Sequence, residues 1–401
     1  MIRPLAIGAD TRPGRPQVVF AITHTEPGGL REIWQDVAAG LEERGLRTGL
    51  VSLYPRAGER VEAGAAGWGF ILNRPRRTPW SAIALVWRVV HWLRQTRPRI
   101  VITGMPFCNV LFSICCTMAG TGTKVILSHH TPSFTYQNVL NILDRRTGCS
   151  PAVAAIISVS DAVGRSFAAW PVAYRAKQRT IHNSLPARIE QLVDGMAMVP
   201  RDRSDGALRI MAVGRLSSQK NHAQLIRAMA FAPDGVLEII GAGEDEADLR
   251  ALIAQLDLAH KVTLLGQFPR EDTLRRLAGA DVFVQVSLFE GHSLALLEAA
   301  RMGVPLIVSQ VAEQIEGITD EQGELCGVAV PLGDATALGH ILQEWAMDEA
   351  QRRSWAQKSL RLGHMRSSCN LIEHYEALLA ELGVQREEGN CALHSRQEEL
   401  V

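Results

Sequence analysis

Short apolar runs alternate with longer stretches of helical spacing along most of the chain. Gln17-Val-Val-Phe-Ala-Ile-Thr has strand length and is followed by the turn-rich Glu26-Pro-Gly-Gly29. Leu30, Ile33, Trp34, Val37 and Leu41 then recur as one face of a helix over 30–44, and Gly45 stops it. Arg99-Ile-Val-Ile-Thr, Lys124-Val-Ile-Leu-Ser and Ala155-Ile-Ile-Ser-Val-Ser predict further strands, with helical runs between them. The second half repeats the pattern, with strands over 208–214, 236–241, 262–266, 282–286 and 305–309 and helices over 223–230, 247–256, 270–277 and 293–302. Strands of about five residues alternating with helices mean βαβ units and parallel sheets. The expected fold is α/β: two Rossmann-like, doubly wound domains facing each other across a cleft, with ligands at the carboxyl ends of the strands. The polar stretch 200–206 reads as the linker.

The run Trp80-Ser-Ala-Ile-Ala-Leu-Val-Trp-Arg-Val-Val-His-Trp-Leu-Arg94 breaks the amphipathic pattern. Arg88, His91 and Arg94/Gln95 form one narrow polar stripe and nearly everything else is apolar. Two readings are open. The helix is wedged against a sheet, or part of it dips into a membrane interface with Trp at headgroup depth and arginines on phosphates.

Composition changes the picture in two ways. With 401 residues, 47% hydrophobic and 21% charged, the chain can bury a large core without metals or disulfides. Its seven cysteines show no paired spacing, which points to a reducing compartment and away from a disulfide framework or a zinc site. Neither a signal-peptide core nor an apolar run of transmembrane length is present, so a cytoplasmic location is expected, with peripheral contact at the inner face of the membrane as a further option. Net charge is zero, but residues 1–200 hold 23 Lys+Arg against 12 Asp+Glu, while residues 201–401 hold 19 against 30. A basic half suits an anionic partner such as a membrane surface or a phosphate-bearing acceptor. The arginines are dispersed with few aromatics among them, so nucleic acid is not expected.

Candidate chemistry centres on Phe289-Glu-Gly-His-Ser-Leu-Ala-Leu-Leu-Glu298. A strand ends, the chain turns at Glu290 and Gly291, and Ser293 is placed to cap a helix that Gly303 and Pro305 end. Such a helix start offers N–H groups and a positive dipole end to an anion, and Gly291 allows close backbone approach. Glu298 sits about one and a half turns in and leans back toward that start. Carboxylates beside a phosphate make sense if they bind sugar hydroxyls: Glu298 a ribose diol, Glu290 a hexose. Alternatively, Glu290 is a loop residue and Glu298 a solvated helix position.

Ala212-Val-Gly-Arg-Leu-Ser-Ser-Gln-Lys-Asn221 places Gly214, Arg215 and Lys220 in one strand-to-helix loop. A bidentate guanidinium and a point charge within six residues suit a diphosphate leaving group. The plainer alternative is a surface loop with ordinary basic residues.

Gly-Arg-Leu-x-x-Gln-Lys-Asn at 214–221, Ile-Ile-Gly-Ala-Gly-Glu at 239–244, Val-x-x-Leu-Gly at 262–266, Ser-Leu-Phe-Glu-Gly-His-Ser-Leu-Ala-Leu-Leu-Glu-Ala at 287–299 and Val-Pro-Leu-Gly-Asp-x-x-Ala-Leu at 330–338 occur in order. Taken together, this set resembles the family 4 retaining glycosyltransferases of GT-B fold, most sharply between 208 and 345. The resemblance implies domains over 1–190 and 208–360, a linker over 191–207, a helix over 361–384 that packs back toward the first domain, and a polar tail over 385–401. It implies that Arg215 and Lys220 hold the donor diphosphate and that Glu298 binds ribose. It also implies that Glu290 contacts the transferred sugar with the backbone of Gly291, His292, Ser293 and Leu294, and that Phe268 lies near the base. In the first half, Gly28 and Gly29 match a phosphate-closing loop, His130 rather than His129 matches a site histidine, and Ser160 and Asn183 match a common serine and asparagine.

Three departures stand out: Asn183-Ser184 for the usual Asn-Gly, His292 for the usual Phe, and no glycine pair in Ser309-Gln-Val-Ala-Glu-Gln. No Asp-x-Asp occurs in the chain, so no metal is expected, and a nucleotide diphosphate-sugar serves as co-substrate rather than cofactor. The expected activity is metal-independent, retaining transfer of a sugar, with UDP as the favoured nucleotide, to a glycan or lipid-linked acceptor in cell-surface polysaccharide synthesis. Rival readings are a nucleotide-sugar epimerase and a non-catalytic scaffold on the same fold.

Overall fold

The computed structural model describes residues 15–26, 28–55, 67–72, 79–196 and 206–386. Pro27, most of the expected linker and nearly all of the polar tail lie outside them. Two units account for the chain, one of residues 1–182 with 368–401, the other of residues 183–367.

The first unit runs β1 (Val18–His24), α1 (Gly29–Glu43), β2 (Thr48–Tyr54), β3 (Trp68–Phe70), α2 (Pro79–Thr96), β4 (Ile100–Gly104), α3 (Pro106–Ala119), β5 (Lys124–His129), α4 (Asn138–Thr147), β6 (Val153–Ser158), α5 (Asp161–Arg165), α6 (Val172–Arg175) and β7 (Gln178–Thr180). Its seven strands are all parallel, in the order β3-β2-β1-β4-β5-β6-β7. Val89, Val90 and Leu93 of α2 share one core with Phe112 and Cys115 of α3 and with Val101 and Leu127 of the sheet. This settles one face of the Trp-rich helix as wedged, but Ile83 and Trp87 stay outside, 64% and 58% exposed.

The second unit runs α7 (Ala187–Asp194), β8 (Leu208–Val213), α8 (His222–Ala228), β9 (Gly235–Ile240), α9 (Glu246–Gln255), β10 (Val262–Gly266), α10 (Arg270–Ala278), β11 (Val282–Gln285), α11 (Leu294–Arg301), β12 (Leu306–Ser309), α12 (Ala312–Gly317), β13 (Val328–Val330), α13 (Ala335–Met347) and α14 (Glu349–Met365). Its six parallel strands follow the order β10-β9-β8-β11-β12-β13. The expected linker over 191–207 overlaps α7, and this helix belongs to the second unit. The reason is packing: Ile189 and Val193 are buried with Leu296 and Leu297, and Arg301 donates to Asp194 Oδ1 at 2.9 Å and Glu190 Oε1 at 3.3 Å.

The last helix, α15 (Ser368–Glu381), returns to the first unit. It lies against α1 so closely that a Cβ on Gly40 would meet Ile372 Cδ1 at 2.3 Å. Arg44 reaches Glu376 Oε2 at 2.9 Å across the same seam.

Candidate active site

In the second sheet the chain leaves β8 toward β9, and β11 later pairs with β8 on its other side. The gap between the carboxyl ends of β8 and β11 is therefore the topological switch point, where doubly wound sheets take ligands. The loops after β8 and β11 flank it, and they are stitched together residue by residue.

Gln219 Nε2 donates to the Phe289 carbonyl at 3.1 Å, and the Leu288 N–H donates to the Gln219 carbonyl at 2.8 Å. Asn221, left-handed at φ 51°, donates through Nδ2 to the Val286 carbonyl at 3.1 Å. Between them, Lys220 Nζ donates to Glu290 Oε1 at 2.6 Å. The Gln-Lys-Asn run thus fastens the second loop at three points and delivers a cation to its carboxylate.

A third loop braces the first. The Leu216 N–H donates to the Ala242 carbonyl at 3.1 Å, and backbone lies directly on backbone. A Cβ on Gly241 would fall 1.8 Å from the Gly214 carbonyl oxygen, and one on Gly243 2.2 Å from that of Leu216. The Gly-Ala-Gly run is a packing requirement here. Gly214 in turn carries the Lys220 stem, whose Cε would lie 2.9 Å from a Cβ at that position.

Ser293 caps α11 as its sequence position predicts, its Oγ accepting from the Leu296 N–H at 3.4 Å and donating to Gln285 Oε1 at 2.8 Å. Gln285 is held by a reciprocal amide pair: Gln314 Nε2 donates to the Gln285 carbonyl at 2.7 Å, and Gln285 Nε2 donates to Gln314 Oε1 at 3.0 Å. The segment 309–314, which lacks the glycine pair, therefore secures the cap. Leu294 opens the helix behind it.

Glu298 is buried rather than solvated, and Arg270 Nη2 donates to its Oε1. Arg270 was not anticipated from the sequence. The signal was a cation in the first turn of α10, where the helix dipole favours an anion. Each carboxylate of the site thus faces a cation, Lys220 on Glu290 and Arg270 on Glu298. Arg215 is exposed after β8 and adds a positive charge that no carboxylate among the described residues offsets. With the start of α11, the local balance favours an anion.

The remaining second-unit residues lie around this centre. Gly291 and His292 are buried, and the His292 carbonyl accepts from Asn183 Nδ2 at 3.4 Å. Phe268 follows β10, with the Arg276 guanidinium 4.9 Å above its ring centroid. His222, at the start of α8, was also missed; burial first, and then the Lys220 charge, lower its pKa to about 4.

The first-unit residues occupy corresponding strand ends in their own sheet. Gly29 opens α1 and Gly28 caps it in extended backbone, φ 172°, where a Cβ would meet nothing within 4 Å. Among the described residues, packing gives no reason for glycine at 28. His129 is interior: Nδ1 lies 2.9 Å from Tyr136 Oη and Nε2 2.8 Å from Tyr174 Oη. His130 is half-buried, with Nε2 2.9 Å from Ser128 Oγ and the Trp34 ring edge-on, and burial lowers its pKa to about 4. Ser160 caps α5 by accepting from the Val163 N–H at 3.2 Å, which accounts for it structurally.

Two family descriptions match this chain. Residues 27–187 match Glycosyltransferase Family 4, and residues 200–361 match Glycosyl transferases group 1. The chain belongs to this family of GT-B glycosyltransferases. It is 36% identical over 163 residues to the amylovoran biosynthesis glycosyltransferase AmsK of Erwinia amylovora, a match of 37% of this chain that spans about two fifths, 39%, of that protein. Similarity to the lipopolysaccharide core biosynthesis glycosyltransferase LpsE of Rhizobium meliloti (strain 1021) extends over 335 residues at 28% identity, covering 82% of this chain and 89% of that one. The crystal structure of Anabaena HepE in complex with UDP and glucose shares the fold, with TM-score 0.73 and 16% identity over 91% of this chain and 100% of that one.

Proposed function

We propose that this protein transfers a sugar from a UDP-sugar to a glycan on a lipid-linked acceptor, in the synthesis of a cell-surface polysaccharide, with retention at the anomeric carbon and without a metal ion. The carrying observation is the arrangement at the β8–β11 switch point: the loop after β8, which holds Arg215 and Lys220, is bonded to the loop that leads into α11, and the two carboxylates there face Lys220 and Arg270. In this reading Lys220 and Arg215 take the diphosphate, Glu298 the ribose, and Glu290 the sugar with the backbone of 291–294. The UDP in HepE supports the choice of base, and the lipopolysaccharide assignment of LpsE supports the acceptor class.

The step breaks the bond from the anomeric carbon to the diphosphate oxygen. The acceptor oxygen bonds to the same carbon on the same face. Its proton passes to the departing phosphate, and the cations and helix start offset the charge that develops there. The test is thermal stabilisation by UDP, GDP and ADP in chelator, for the wild type and for Arg215→Ala/Lys220→Ala. A shift by UDP alone that the double substitution removes supports the reading. A shift by none of the three, or one the double substitution leaves intact, overturns it.

A further inference from the structure

Nine of the sixteen large apolar side chains that are exposed among the described residues lie between 83 and 143. They are not scattered. Helix α3 touches both α2 and α4, so the three form one layer on the first sheet. Its outer surface carries Ile83 and Trp87 from α2, and Ile114 and Met118 from α3. From α4 come Val139 and Ile142, 66% and 52% exposed. The pairs fall at i,i+4 or i,i+3, so each helix presents a coherent stripe.

Helix α4 shows the arrangement at its sharpest. Its one buried side chain is Asp144, while Val139, Ile142, Leu143, Arg145 and Arg146 face outward. An apolar helix face turned to solvent and flanked by arginines is the inverse of a core-packing helix. Charge agrees. Residues 63–160 contain ten Lys and Arg but one Asp or Glu, and that one is Asp144, inside. Among the described residues, the three helices themselves carry Arg88, Arg94, Arg145 and Arg146 beside the apolar stripes, and their one acidic side chain is the buried Asp144. No helix among the described residues is long and apolar enough to cross a membrane.

We propose that the outer surface of α2, α3 and α4 docks on an anionic lipid bilayer, with Trp87, Val139 and Ile142 entering the interface and Arg88, Arg145 and Arg146 meeting phosphates. A broad layer of three stripes suits a planar partner better than a groove-filling peptide, and the absence of acid suits an anionic one. The inference rests on the reading of a lipid-linked acceptor and assigns the surface through which that acceptor is approached.

The experiment is flotation of the full chain with vesicles of 7:3 phosphatidylcholine:phosphatidylglycerol and of pure phosphatidylcholine, at 50 mM and 500 mM salt. Wild type should float with the anionic vesicles at low salt only. Val139→Asp/Ile142→Asp should lower partitioning at least tenfold, and Arg145→Glu/Arg146→Glu by roughly fivefold per charge lost. Trp87→Phe should remove quenching of tryptophan emission by brominated lipid. All three variants should keep the wild-type melting temperature. The proposal is overturned if wild type ignores anionic vesicles, if the variants float like wild type, or if the face instead dimerises the protein and Val139→Asp/Ile142→Asp dissolves that dimer. UDP stabilisation is read in the same samples. Loss of flotation with UDP binding intact removes the docking surface alone. Flotation without any UDP shift removes the donor reading alone.

Discussion

Lys220 and Glu290 form a nearly enclosed ion pair, Nζ to Oε1 2.6 Å, with side chains 16% and 10% exposed. In the proposed reading, the cation assigned to the diphosphate is thus held in place by the carboxylate assigned to the sugar. Removing one member strands the other's charge. Lys220→Met should cost about 3 kcal/mol of stability, and Lys220→Met/Glu290→Gln should recover most of it while UDP affinity stays lost. Urea unfolding and nucleotide titration on the three variants separate the two effects. Additive stability losses would mean that the pair is not coupled.

Glu298 is matched by Arg270 but is assigned to ribose. A charge-assisted hydrogen bond is worth about 1.5–3 kcal/mol, so Glu298→Gln should lower kcat/KM by roughly tenfold to 150-fold. The same change should erase the preference for UDP over its 2′-deoxy form. A loss under twofold with the preference retained would remove Glu298 from the site.

The glycines divide into two kinds. Gly241→Ala places a methyl on the Gly214 carbonyl and should unfold or displace the donor loop, lowering Tm by several degrees. Gly28→Ala meets open space in extended backbone and should leave Tm unchanged. If Gly28 is kept for close approach to phosphate, turnover alone should fall. Full activity in Gly28→Ala would withdraw that role.

His130 is proposed to serve turnover and not nucleotide binding. His130→Asn should lower kcat at least tenfold with the UDP dissociation constant unchanged. Unaltered kcat would leave it as a partner of Ser128 and Trp34.

Asp144 gives a pH signature. Burial raises its pKa to about 7, against a smaller opposing effect of the Tyr174 hydroxyl, 3.5 Å away. The folded chain then keeps a proton that the unfolded chain releases near pH 4. Stability from this group is lost as pH rises from about 4 through 7, at no more than about 1.4 kcal/mol per pH unit. Asp144→Asn, neutral throughout, should lack that slope. Denaturant titrations at pH 5, 6 and 7 compare them, and parallel profiles would contradict the assignment.

Much of this architecture was legible because buried parallel strands such as 262–266 read as uninterrupted apolar runs between turn residues. The short strands β3, β7 and β13, of three residues each, carry too little pattern to be seen. The second unit begins ahead of the polar stretch because α7, which reads as connecting chain in isolation, is claimed through Asp194 and Glu190 by Arg301, more than a hundred residues away. The site was legible where motif residues meet one another, as Lys220 and Glu290 do. Arg270 was not, because its partner is set by the neighbouring of α10 and α11, which spacing along one strand or helix does not report. Nor does spacing distinguish His129 from His130, since adjacent residues differ only in which one the aromatic cluster of Tyr136 and Tyr174 encloses.

The return of α15 to the first unit has a consequence for how the protein is made. Residues 183–367 are, in chain order, an insertion within the first unit. At about 5–20 residues per second, the ribosome leaves the first sheet waiting roughly 10–40 s for its last helix. Over that interval the α1 surface around Gly40, which Ile372 later covers, is bare on the nascent chain. A chain cut short just before residue 368 would leave that surface bare permanently, so premature termination ahead of the last helix should yield insoluble product even though the second unit is complete.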